Sequence, residues 1–168
     1  MIKKLRTKTS INAEEIDRIE FKSYRHCLIN AENNFEASKI WNRLPKKISE
    51  NKIILLEYLD KLTYHNDYEK SASLLLDSLD KEWDEDLSLM YASLPLKNSA
   101  RQITIVEKWI DDGHNSAKLN LALSKLYYNK DLWVMAKDKL LISIGLDNSI
   151  ESQELLNIIE DRLLEHNS

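Results

Sequence analysis

Glycine and proline are nearly missing from this chain: its 168 residues hold two of each. Hairpins and long loops draw on glycine for positive φ and on proline for a fixed φ. Their shortage excludes a sheet-rich fold and leaves helices joined by short polar connections. Two glycines also cannot build a glycine-rich phosphate loop. A single cysteine, Cys27, excludes an internal disulfide framework and fits a reducing compartment. No apolar run approaches the roughly 18 residues that cross a bilayer. The opening MIKKLRTKTS is basic with no apolar stretch behind it, so no secretory signal is expected. No run alternates polar and apolar residues as a half-buried strand does.

What is present is an ordinary globular composition, 43% hydrophobic and 31% charged, on a chain long enough for one core. Without the four cations of the first eight residues, the net charge falls from -4 to -8. The body is therefore acidic and offers no broad electrostatic footprint for nucleic acid. Residues 1–11 are expected to form a flexible, solvated basic terminus, with an anionic membrane surface as its alternative partner.

Apolar spacing and capping residues predict helices throughout residues 12–168. Asn12 with Glu15, Asn33 with Glu36, Ser99 with Gln102 and Asn148 with Glu151 read as capping boxes, and Asp67 and Asp84 as N-caps. Pro45 and Pro95 punctuate, and Gly113 stands where a C-cap is wanted. Helical hairpins are expected at about 12–45, 52–81, 84–112 and 115–146, with a capping helix at about 148–165. In the best formed of these, Ala136, Leu140 and Ser143 mark one face of the second helix. The same small–x3–large–x2 spacing recurs at Ala72, Leu76, Leu79 and at Ala37, Trp41, Leu44. It is the spacing of the second helix of a tetratricopeptide repeat. Leu123, Ser124 and Tyr127 fit the first-helix pattern, whereas Leu59, Asp60 and Thr63 fit it poorly, and residues 84–112 read as a shorter, irregular pair. The expected fold is all-α, a right-handed superhelix of such hairpins closed by the last helix.

Several stretches add a resemblance: WNRLPKKISENK from Trp41, LMYASLP from Leu89, ARQITIVEKWI from Ala100 and LALSKLYYNKDLWVMAKDKL from Leu121. In order and spacing they resemble the C-terminal repeat region of the HemY family, over about Asn12 to Leu146. These are proteobacterial inner-membrane proteins associated with haem biosynthesis, distinct from the protoporphyrinogen oxidase that shares the name. The resemblance implies a non-catalytic scaffold on the cytoplasmic side of the bacterial inner membrane, meeting haem-pathway enzymes. Family members carry two membrane-spanning helices near the N-terminus and this chain carries neither, which implies an excised domain or a shortened relative. Ser124 stands where the family favours glycine, and is small enough to keep a close helix contact.

The residues suggest no reaction: no nucleophile elbow is present, and His65, His114 and His166 are scattered without the i+4 pairing of a zinc site. The acidic run Glu82–Asp86 lacks EF-hand spacing. No metal and no obligatory cofactor are expected. A bound haem is the alternative, with His26, Cys27 or His65 as weak candidate axial ligands. Helix phase instead places Cys27 beside the Tyr24–Leu28 stripe as a small packed hydrophobe. The four tryptophans read as core. A partner groove is expected on the first helices of the hairpins, where Lys61, Tyr64 and His65 align with Lys125, Tyr128 and Asn129. Such a row suits an extended acidic peptide or the propionates of a porphyrin, and the plain alternative is a solvated helix face.

Overall fold

The computed structural model describes residues 12–166, so the basic terminus expected at 1–11 lies outside the described residues. Among the described residues there are only helices. They are α1 (Ala13–Ile29), α2 (Asn34–Trp41), α3 (Lys46–Ser49), α4 (Lys52–Tyr64), α5 (Tyr68–Leu79), α6 (Glu85–Ser93), α7 (Ser99–Asp111), α8 (Ala117–Tyr128), α9 (Trp133–Leu146) and α10 (Ile150–His166). The all-α expectation is met. The chain divides into two compact units, Met1–Ser71 and Ala72–Ser168, at the first turn of α5.

In the first unit α4 is the hub, with α1, α2 and α3 packed against it. Its inward residues Ile54, Tyr58, Leu59 and Leu62 are fully buried, as their spacing predicts. Trp41 stacks on Tyr58 with ring centroids 4.5 Å apart, so it packs on the core while remaining half-buried. Ser38 meets the Tyr58 hydroxyl at 3.0 Å, and Lys70 Nζ donates to Ser38 Oγ at 2.9 Å. Arg25 donates from two nitrogens to Glu57 Oε1, tying α1 to α4. α2 ends at Trp41, so Leu44 leaves the helix and the stripe Ala37–Trp41–Leu44 is broken. Pro45 ends nothing further: it precedes the first residue of α3, where a residue without an N–H forfeits no helical bond.

In the second unit α8 is central and packs on α6, α7 and α9, while α9 packs on α10. Leu119, Leu123 and Tyr127 of α8 and Ala136, Leu140 and Ser143 of α9 are buried as predicted. Each large apolar side chain so buried contributes about 1.5–3 kcal/mol. On α5 it is Leu75, not Leu76, that is fully buried, a one-residue rotation from the expected stripe.

Three interhelix turns close alike. Asn66, Gly113 and Asp131 have positive φ, and the following residue's N–H bonds five residues back: Asp67 to Leu62, His114 to Trp109 and Leu132 to Tyr127. This is the left-handed helix stop, and Gly113 takes the C-cap role expected of it. The caps are partly reassigned. Asn12, Asn33 and Asp84 cap as predicted. α7 is capped by Asn98, whose side chain accepts from Arg101 N, rather than by Ser99. At α10 it is Ser149 Oγ that accepts from Ser152 N, and Asn148 instead receives the Gln153 amide.

Candidate functional site

Leu87, Ser88 and Tyr91 on α6 and Leu123, Ser124 and Tyr127 on α8 share one Leu-Ser-x-x-Tyr spacing, and all six are buried. α6 and α8 thus share one pattern of buried residues, although Ser88 Oγ donates to the Glu85 carbonyl of its own helix at 2.7 Å rather than across to α7. The serine admits close approach, and the leucine and tyrosine pack on either side of it. Ser124 Oγ donates to the Ala136 carbonyl at 2.7 Å, and Ser143 Oγ to the Ala117 carbonyl at 2.8 Å. The α8–α9 hairpin is pinned at both ends. Tyr127 donates its hydroxyl to Glu107 of α7. Burial, reinforced by that hydrogen bond and by the charge of Glu107, raises the Tyr127 pKa above its ordinary value.

That packing places α6 and α8 side by side and opens a cleft of about 560 Å³, completed by Glu151 of α10. Its walls are Leu89, Ala92, Leu94 and Pro95 from the end of α6 and Leu121, Ala122 and Leu126 from α8. Lys118, Lys125 and Asn129 lie along its rim, and each is exposed. Lys125 Nζ meets Glu151 Oε1 at 2.5 Å, with both side chains largely in water, so the pair contributes little to stability. Lys118 makes no ion pair among the described residues. An apolar floor edged by two cations, one amide and one carboxylate accepts an extended segment that carries both apolar and acidic side chains.

The α6 wall is held by a residue that composition could not single out. Gln102 is buried and its amide nitrogen donates to the carbonyls of Tyr91, Ala92 and Leu94 at 2.8, 3.3 and 3.0 Å. It satisfies the end of α6 from a neighbouring helix, in place of the box with Ser99 that its spacing suggests.

Of the expected groove residues, Lys125 and Asn129 line the cleft, whereas Tyr128 is half-buried and is not part of its lining. Lys61, Tyr64 and His65 belong to the first unit. Lys61 Nζ donates to the Ala31 carbonyl at 3.2 Å, and the exposed Tyr64 ring meets the His65 ring edge-on. The haem-ligand candidates belong to the first unit, and none of them lines the cleft. His26 is exposed on α1 beside Asn30. Cys27 is exposed too, and not packed as its helix phase suggests. The α1 stripe runs through Tyr24 and Leu28, and one residue's rotation carries Cys27 off it. The remaining tryptophans are half-buried rather than core. Trp83 stacks on His114 at 3.6 Å and meets Trp109 edge-on, and Trp133 meets His166. Among the described residues no three His, Cys, Asp or Glu side chains gather as a metal site, and no helix is long and apolar enough to cross a membrane. Comparison with family models, curated proteins and solved structures gives no match for this chain.

Proposed function

We propose that this chain is a non-catalytic scaffold built of tetratricopeptide-like hairpins, a right-handed superhelix closed by α10, that holds an extended acidic segment of another protein. The observation that carries this reading is the cleft between α6, α8 and α10, with its apolar floor and its lysines at 118 and 125. The Leu-Ser-x-x-Tyr spacing shared by α6 and α8, buried in both, supports a repeat architecture, in which hairpins of like pattern stack on one another. Main-chain and apolar contacts supply affinity to such a segment, and the lysines select its charge.

The sequence resemblance supplies the setting. We place the scaffold beside late haem-biosynthesis enzymes at the cytoplasmic face of a bacterial inner membrane, with membrane attachment supplied by segments other than these residues. Two measurements test this. A membrane extract passed over the immobilised chain should yield a porphyrin-pathway enzyme whose retention is lost in Lys118→Glu/Lys125→Glu; retention unchanged by that variant contradicts the cleft. Haem titration should give no saturable Soret shift; a shift saturating at one haem per chain and lost in His26→Ala or His65→Ala would replace the scaffold reading with a tetrapyrrole-binding one.

A further inference from the structure

Among the described residues that line the cleft, Glu151 is the only carboxylate, and it comes from α10 rather than from either wall. It holds Lys125 Nζ at 2.5 Å. α10 does not need that contact. Its N-terminus is capped by Ser149, and its body is fixed by the buried Ser152 and Ile159 and by Glu160, which accepts from Lys137 of α9 at 2.7 Å. A carboxylate in the first turn of a helix is also favoured by the helix N-terminus with no cation beside it. Both side chains of the Lys125–Glu151 pair lie largely in water, so little free energy is lost when another carboxylate takes the place of Glu151.

Lys118 stands differently: it lies on the same rim and makes no ion pair among the described residues. Lys118 and Lys125 are both exposed and stand two turns apart on one face of α8, about 10.5 Å along its axis. In a chain of polyproline II conformation, residues three apart share a face and are separated by about 9.3 Å. An extended segment lying along the cleft can therefore bring two carboxylates, three residues apart, to the two lysines, and the flexible lysine stems take up the small difference. A segment with one carboxylate reaches Lys118 without disturbing Glu151. A segment with two must take Lys125 from Glu151, and then has a cation for each of its charges.

We propose, resting on the acidic-segment reading of the cleft, that its ligand carries two carboxylates three residues apart and that Glu151 is a built-in competitor, seated on Lys125 until the second ligand carboxylate displaces it. Fluorescence anisotropy of labelled peptides on the full chain tests this. The peptides share one leucine-containing sequence and carry one glutamate, two adjacent glutamates, or two glutamates three residues apart. The last should bind the parent chain most tightly. Glu151→Gln should tighten it further by about two- to fivefold, the span of an exposed ion pair, and should change the single-glutamate peptide much less. The variant should keep the helical circular dichroism and the melting cooperativity, because α10 is held elsewhere. Binding that is lost in Lys118→Glu/Lys125→Glu but is unchanged or weakened in Glu151→Gln overturns the competitor and leaves the acidic cleft standing. Equal affinity for the adjacent and the separated glutamates overturns the spacing. Binding of none of the peptides to either the parent or Glu151→Gln overturns the cleft reading itself, and this inference with it.

Discussion

Ser124 and Ala136 join the two helices of the best-packed hairpin: the serine hydroxyl donates to the alanine carbonyl at 2.7 Å with both residues fully buried. A hydroxyl can reach a backbone carbonyl of a neighbouring helix only if the two axes are close, which is the role of the small residues on both sides. Ser124→Ala should therefore lose one hydrogen bond, about 1 kcal/mol, in a urea titration of the full chain. Ser124→Val adds volume with no room and should lose more, about 2–3 kcal/mol. Valine tolerated as well as alanine would mean the helices are not in close contact.

Gln102 governs the cleft wall. Gln102→Met keeps the length of the side chain and deletes the amide, leaving the end of α6 short of a donor to three carbonyls. Destabilisation of about 1–3 kcal/mol is expected, together with faster amide hydrogen exchange confined to Ser88–Leu94 at first. Exchange unchanged there, with loss elsewhere, would assign Gln102 a different role.

Alkaline pH should expose Tyr127. Its pKa is raised in the folded state by burial and by Glu107, so the unfolded chain gives up the phenolic proton first, near pH 10. The stability this contributes is whole below about pH 10 and is lost as pH rises towards the folded value. Tyr127→Phe should unfold at lower urea at pH 7, because the bond to Glu107 is gone, yet show a shallower loss between pH 9 and pH 11. A loss as steep as in the parent chain would place the alkaline transition on another group.

Helix positions and inward faces were legible because they depend on spacing alone: Ile54, Leu59, Leu123 and Leu140 are all buried where the 3.6-residue period puts them. The end of α2, the short α3 and the true N-caps Asn98 and Ser149 were not. The two caps depend on which of two adjacent residues reaches the backbone, a choice that spacing leaves open, and α3 begins just after Pro45 with no side-chain cap to announce it. The Leu-Ser-x-x-Tyr frame of α6 was in the sequence at Leu87–Tyr91 and is the signal that would have found the cleft. Residues 84–112 read as a shorter, irregular pair because the second helix has Gln102, not a small residue, where the stripe of Ala136 would begin. Cys27 and the tryptophans were misassigned for a related reason: periodicity ranks faces of a helix but does not say how much of each face a neighbour covers.

The most direct measurement of the central claim follows amide chemical shifts of the isotope-labelled full chain while a peptide selected from a random displayed library is added. The account predicts selected peptides rich in aspartate, glutamate and leucine, shifts concentrated at Leu89–Leu94, Lys118–Asn129 and Glu151, and an affinity about tenfold or more weaker in Lys118→Glu/Lys125→Glu. Peptides of no particular charge, shifting residues outside that cleft and binding the double variant equally well, would contradict it.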